Sequence, residues 1–313
     1  MRLVFWGTSS FAVPALRALL GEGFDVVGVV TQPDRAVGRS RSTLVPSPVK
    51  SVALEDALPL FQPETPKDEA FLAQLHALAP ELSVVVSYGH ILGESLIALP
   101  MHGTINVHAS LLPALRGAAP IQGAVRAGLA ETGVTVMRMV KALDAGPIML
   151  QARTPVARDE TAGELEARLS ELGALALIEA LTLMSLGKLS ETPQDDSKAT
   201  FAPKILREMA RVNWNESADA IGRHVRAYDP KPGAFTTHRG GDIKLFGVVV
   251  ADAPAESRHA PGTVVSIDQR GMVITCGTGA VMISCAQPAG RTRVEPGEWM
   301  RGRGIEVGER FGA

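Results

Sequence analysis

Leu3-Val-Phe-Trp6, the apolar-periodic run from Phe11 to Leu20, and Asp25-Val-Val-Gly-Val-Val-Thr31 decide the fold. The first and last are short apolar runs bounded by polar or glycine punctuation, as in strands buried on both faces, and the middle run has helical spacing. Strand, helix, strand is a βαβ opening, and the pattern continues. A helix is expected near Asp68 to Leu78, strands at Leu82 to Ser87 and Gly103 to His108, a helix after Pro120, and a further strand at Gly133 to Val140. This alternation predicts an α/β domain with a doubly wound, Rossmann-like parallel sheet. Its ligand crevice should lie beyond the carboxyl ends of the strands, where Ser87-Tyr-Gly89 and Asn106-Val-His108 fall. Gly7-Thr-Ser-Ser-Phe11 lacks the glycines of the dinucleotide fingerprint G-x-G-x-x-G, so Gly7 reads as a tight turn.

A long helix is expected at about Thr161 to Leu186, followed by the polar, breaker-rich stretch Gly187 to Ser197. The chain therefore divides into a first domain at 1–188, a linker at 189–206 and a second domain at 207–313. In the second, a helix near Ser217 to Ala227 precedes five short strands separated by Gly and Pro turns: Ala234 to Thr237, Ile243 to Val249, Thr263 to Ile267, Met272 to Cys276 and Val281 to Cys285. Five short strands with these turn signals predict a small β-barrel.

At 313 residues the chain has length enough for two cores. It is 46% hydrophobic and 20% charged, a soluble globular composition. No apolar run approaches the roughly 18 residues of a membrane span, and the apolar start is interrupted at Gly7-Thr-Ser-Ser10, unlike a secretory lead. A cytoplasmic protein with no membrane partner is expected. Cys276 and Cys285 flank a turn at Gly277-Thr-Gly279 and would sit at different depths of a hairpin, so neither a disulfide nor a metal site is expected. The net charge of -2 hides an uneven distribution, because the tail from Lys204 carries 15 Lys plus Arg against 12 Asp plus Glu. Within the acidic front, Arg35, Arg39, Arg41 and Lys50 against Asp34 form a second basic stretch. Local patches of this kind govern the steering of a polyanion.

On an extended segment alternate side chains share a face, so Asn106 and His108 project together. The loop after them sets Leu111, Leu112 and Leu115 among Pro113, Gly117 and Pro120, an apolar surface where a solvated connection would carry polar residues. A ligand lying on that surface would explain it. Taken alone, Asn-x-His on a strand also suits a merely hydrogen-bonded structural pair, Asp144 before a glycine suits a turn, and Ser110 to Pro113 suits a simple turn.

His108-Ala-Ser-Leu-Leu-Pro113 followed by Arg116-Gly-Ala-Ala-Pro-Ile-Gln122 resembles the signature of the methionyl-tRNA formyltransferase family, within the wider group that transfers formyl groups from 10-formyltetrahydrofolate. The resemblance extends through Thr31-Gln-Pro-Asp-Arg35, Pro46-Ser-Pro-Val-Lys50, Ser87-Tyr-Gly89, Glu131-Thr-Gly-Val-Thr135 and Leu143-Asp-Ala-Gly146 to Gln287-Pro-Ala-Gly290, nearly the whole chain. It implies that Asn106, His108 and Asp144 are catalytic and that Ser110, Leu111, Leu112, Pro113, Tyr88, Gly89 and Ile91 contact the folate. It further implies that the insertion Gln32 to Lys50, with Arg35, Arg39 and Arg41, grips the charged initiator tRNA, that the second domain is an OB-like barrel, and that no metal takes part. Formyl transfer develops negative charge on an oxygen and moves a proton, so it calls for hydrogen-bond donors aimed at that oxygen and for a proton carrier. Pro147-Ile148 stands where the family usually has a polar residue, and His90 where it often has an apolar one. The insertion is expected to be disordered without tRNA, and the protein to be a monomer. A sugar-nucleotide N-formyltransferase would share the Asn, His and Asp set, whereas a non-catalytic RNA-binding module would not need it.

Overall fold

The computed structural model describes residues 1–37, 43–251 and 259–312. The chain forms two compact units, one of Met1–Gly117, Glu131–Pro155 and Glu166–Phe201, the other of Ala118–Ala130, Val156–Leu165 and Ala202–Ala313. In chain order the elements up to the end of the first unit are β1 (Arg2–Gly7), α1 (Val13–Gly21), β2 (Asp25–Val30), β3 (Arg35–Val37), β4 (Thr43–Val45), α2 (Pro48–Glu55), β5 (Leu60–Phe61), α3 (Glu69–Ala77), β6 (Leu82–Val86), α4 (Glu94–Ile97), β7 (Thr104–His108), α5 (Pro120–Ala127), β8 (Glu131–Arg138), β9 (Ile148–Pro155) and α6 (Ala162–Ser185). Helix starts follow local chemistry: Ser47 caps α2 by accepting from the Lys50 amide with Pro48 next in line, and Asp68 caps α3 by accepting from Phe71.

The first unit is built on a seven-stranded sheet in the order β5-β2-β1-β6-β7-β8-β9. Leu3, Val4 and Phe5 of β1 are wholly buried, as the opening apolar run requires of a central strand. From β1 the chain first builds outward through β2 and β5, then returns to lay β6 and β7 on the other side, so strand order reverses between β1 and β6. The five strands β5 to β7 pair in parallel, but β7 with β8 and β8 with β9 are antiparallel. The alternating pattern predicts that the strand at Gly133 to Val140 continues the parallel series. It does not, because a parallel partner needs a crossover that covers the sheet, and the helix between β7 and β8, α5, belongs to the other compact unit. The short link between β8 and β9 then fixes an antiparallel return.

The second unit contains α5 and, beyond α6, α7 (Ala218–Ala227), β10 (Ala234–His238), β11 (Gly241–Ala251), β12 (Val264–Ile267), β13 (Met272–Thr275), β14 (Ala280–Pro288) and α8 (Pro296–Arg301). Its five strands form an antiparallel sheet in the order β10-β11-β14-β13-β12, with β10 and β12 at the edges. Strand number and pairing agree with the expected OB-like architecture. Val225, Leu245, Ile274 and Ile283 are buried in its core, and Phe311 closes one end by stacking on Trp214 at 5.9 Å.

Candidate active site

The carboxyl ends of β1, β2, β6 and β7 gather the polar groups of the first unit. After β1 the Thr8 hydroxyl donates to Tyr88 O at 2.8 Å, and after β2 Gln32 Nε2 donates to the same carbonyl at 3.0 Å. Gly89 follows at φ +92°, a conformation that favours glycine, and a Cβ there would displace the end of the Gln32 side chain. Gly89 and Ile91 are exposed at this end, and the His90 ring lies 5.6 Å from that of Tyr88. The Tyr88 side chain itself points inward: it is 2% exposed, meets Trp6 edge-on, and its hydroxyl is without a partner among the described residues. Burial pushes its pKa up to about 12. Tyr88 can thus meet a ligand through its backbone and not its ring, because an aromatic beside an apolar sheet face gains more from burial than from the crevice.

On β7, Asn106 is half-buried, and its carboxamide makes no hydrogen bond among the described residues. His108 is buried, with Nε2 3.0 Å from Leu115 O and Nδ1 3.7 Å from Asp144 Oδ2. A carbonyl can only accept, so Nε2 carries the hydrogen in the neutral ring, and the Nδ1 lone pair faces the carboxylate. At 3.7 Å the two do not form a hydrogen bond. Asp144 Oδ2 accepts instead from the Gly117 amide at 2.8 Å, and the side chain keeps 14% exposure. Asp144 adopts φ +49° and Leu115 φ +59°, left-handed conformations that non-glycine residues keep only under constraint.

The expected folate loop is tied to the scaffold. Ser110 is buried, its hydroxyl donates to Ala114 O at 2.6 Å, and its carbonyl accepts from Thr135 Oγ1 at 2.7 Å. Leu112 is buried with its amide on Thr135 Oγ1 and its carbonyl on Gln151 Nε2. The half-buried side chains of Leu111 and Pro113 are left as the apolar surface. Sequence reasoning missed Gln151 and Gln194, both beyond the signature. A glutamine in a strand or an apparent linker carries no signal of which backbone groups it will meet.

In the basic insertion, β3 and β4 pair antiparallel from Arg35↔Val45 to Val37↔Thr43, and residues 38–42, on which the expectation of disorder falls, lie outside the described residues. Arg39 and Arg41 lie outside the described residues. Arg35 is exposed and donates to Gln32 Oε1. Lys50 is paired with Asp34 at 2.7 Å, and this contact, with Gln62, holds the Asp34 carboxyl below its ordinary range. In the second unit, Arg207 and Arg211 lie over Phe235 at 5.4 and 4.8 Å, and a cavity of about 610 Å³ is lined by Arg207, which pairs with Asp242, and by Lys244 and Arg291. Arg293 lies over the Phe246 ring at 3.6 Å, while Arg301 and Arg303 are exposed.

Residues 1–181 match the formyl transferase family, and residues 204–304 match the C-terminal domain of formyl transferases. The chain belongs to the formyl transferase family. Within it, the chain is 43% identical over 312 residues to the methionyl-tRNA formyltransferase of Moorella thermoacetica, an alignment covering 100% of this chain and 99% of that one. HypX from Aquifex aeolicus in complex with tetrahydrofolic acid shares the fold, with a TM-score of 0.68 at 19% identity over 99% of this chain, which spans 48% of that protein's length. An N-formyltransferase from Helicobacter canadensis, in complex with folinic acid and dTDP-3-aminofucose, superposes with a TM-score of 0.67 at 17% identity, covering 91% of this chain and 98% of that one.

Proposed function

We propose that this chain transfers the formyl group of 10-formyltetrahydrofolate to the α-amino group of methionine carried on initiator tRNA. The observation that carries the chemistry is the Asp144 carboxylate, fixed by the Gly117 amide beside the Nδ1 edge of His108 at the strand end that bears Asn106. The full-length identity to a methionyl-tRNA formyltransferase supports the acceptor.

The folate supplies an electrophilic formyl carbon. The residues present suit it: Leu111 and Pro113 offer an apolar floor on a loop that its own hydrogen bonds hold rigid, and Gly89, the Tyr88 backbone and Ile91 lie at the neighbouring strand end. Flat heterocycles are held by such surfaces. Asn106, whose carboxamide has no partner among the described residues, donates to the oxygen that gains negative charge. His108 and Asp144 take the proton from the amine as its nitrogen bonds the formyl carbon, and they return a proton to the folate nitrogen as the bond from that nitrogen to the formyl carbon breaks, so that tetrahydrofolate leaves. An α-amino group has an ordinary pKa of about 7.7 to 8.0, so only modest base assistance is needed at Asp144. Because Nε2–H of His108 is engaged by Leu115 O, the ring accepts on Nδ1, 3.7 Å from the Asp144 carboxylate.

Arg35, Arg39 and Arg41 hold tRNA phosphates, and Arg207, Lys244 and Arg291 around the cavity of the second unit add a further polyanion surface. Among the described residues no helix is long and apolar enough to cross a membrane. We place the protein in the cytoplasm as a monomer, where charged tRNA is found. A formylation assay offering charged initiator tRNA, charged elongator tRNA and a sugar-nucleotide amine tests the assignment. Preference for the first is expected, and preference for the sugar amine would overturn it.

A further inference from the structure

Arg116 has no part in the chemistry above, yet it is only 6% exposed, a depth at which a guanidinium persists only with its donors met. Nε and Nη2 donate to Gln194 Oε1 at 3.1 and 2.7 Å, and Nη2 also meets Asp196 Oδ1 at 2.7 Å. The other end of the same carboxamide reaches the active site: Gln194 Nε2 donates to Asp144 O and to Gly146 O, each at 2.8 Å. Asp144 is therefore held at both ends from adjacent residues, its carboxylate by the Gly117 amide and its carbonyl, through Gln194, by Arg116. The segment carrying Gln194 is pinned on either side of it. Thr192 and Ile148 exchange both backbone hydrogen bonds at 2.8 Å, and Thr200 receives the Arg116 amide at 2.8 Å. The strained φ of Asp144 sits inside this frame.

We propose that Gln194 is a positioning residue for formyl transfer, a strut between Arg116 and the Asp144–Gly146 backbone that aims the Asp144 carboxylate at the reacting amine. This rests on Asp144 being the group that takes up the amine proton. The amide is uniquely suited to the place, since its oxygen accepts from a guanidinium while its two hydrogens serve two carbonyls. Gln194→Glu keeps the shape and the partnership with Arg116 but replaces both donors by an acceptor facing those carbonyls. It removes the hold on Asp144 and keeps the hold on Arg116.

The test measures kcat and KM for Gln194→Glu, Asp144→Asn and the double variant. Gln194→Glu should lower kcat by about 10- to 100-fold, as expected of a small misplacement at a reacting group, with KM for charged tRNA and for folate changed by less than about two-fold. In the Asp144→Asn background the same substitution should cost less than about two-fold, because residues acting through one group are not additive. Unchanged kcat in Gln194→Glu, or losses that simply multiply in the double variant, would overturn the proposal. Near-native turnover of Asp144→Asn alone would instead remove Asp144 from the chemistry, and the strut with it. Should Gln194→Glu not fold, Gln194→Met also removes the hold on Asp144 but takes the acceptor from Arg116 as well, so it is read against Arg116→Met, which removes only that partner. Failure of both Gln194 variants to fold would overturn positioning in favour of a structural role.

Discussion

The stretch from Asn106 to Gln122 and the stretch from Gln32 to Lys50 are the two most marked segments of the sequence, and their ends are met in opposite ways. In the first, carbonyl and amide groups of Ser110, Leu112, Leu115, Arg116 and Gly117 are engaged by Thr135, Gln151, His108, Thr200 and Asp144. In the second, the described flanks make a two-stranded hairpin of their own, with Arg35 and Leu44 exposed. One segment uses its polar groups to hold a geometry, and the other keeps Arg35 and Leu44 at the surface. Chemistry needs reacting groups fixed within fractions of an ångström, whereas a polyanion can be gripped by cations that adjust to it. The same residue type therefore stands in different settings in the two places: Arg116 is buried with its donors met, whereas Arg35 is exposed and meets Gln32.

The largest expected effect breaks the fixed region at its reacting groups. Asp144→Asn and His108→Ala should each lower turnover by about 100-fold or more, while folate binding changes little. Near-native turnover in either folded variant would detach that residue from the mechanism.

Next, the rigidity itself can be challenged. A Cβ at Gly146 would lie 1.9 Å from Arg138 O, a backbone atom that cannot step aside without disturbing β8. Gly146→Ala should destabilise the folded protein by roughly 2 to 4 kcal/mol, in the range of severe single substitutions. Thermal or urea unfolding checks this, and a wild-type midpoint would mean that the region yields more readily than its hydrogen bonds suggest.

Much of this is legible in the sequence, and the limits are physical. Apolar runs such as Leu3 to Trp6 announce central strands because burial on both faces leaves no choice of residue type. The pair on β7 is legible because period-two alternation fixes which side chains share a face. The antiparallel turn of β8 is not, since it depends on where α5 packs, and α5 joins the second unit, far along the chain. Because of that interleaving, a truncation after residue 206 would leave 118–130 and 156–165 without the rest of their unit. The resemblance implies a folate contact at Tyr88, and the structure places its side chain in the core, because a sequence shows a residue's position on an element and not the direction in which packing rewards it. Gln194 is invisible for the opposite reason. It sits in a stretch whose composition says linker, and its function lies in partners 48 to 78 residues away.

The open region is tested by charge removal. Replacing Arg39 and Arg41 together by Ala should weaken tRNA binding and make its dependence on salt shallower, by about 0.7 to 0.9 in logarithmic slope for each phosphate no longer neutralised. Folate affinity is the control and should not move. An unchanged slope would mean that these arginines, which lie outside the described residues, do not meet phosphate.

The smallest expected effect concerns Lys50, which belongs to the basic stretch by sequence but is paired with Asp34 at 2.7 Å in the fold. The hydrogen bond from Lys50, then that from Gln62, lowers the pKa of Asp34, so the carboxylate form is the one stabilised by folding. That stabilisation is complete above the ordinary carboxyl range and disappears only as pH falls through the lowered folded value. Between about pH 6 and 8, where carboxylates of ordinary acidity are ionised, the pair is intact and its strength does not vary with pH. Lys50 should therefore contribute less to tRNA binding than an unpaired lysine would. Asp34→Asn removes the competing charge and frees Lys50, and it should steepen the salt dependence of tRNA binding by less than about one released ion, with a gain in affinity at low salt that vanishes at high salt. The change should be the same at both ends of that pH window. A slope identical to that of the parent would show that Lys50 does not face the nucleic acid even when free, and would confine the cationic surface of this insertion to its arginines.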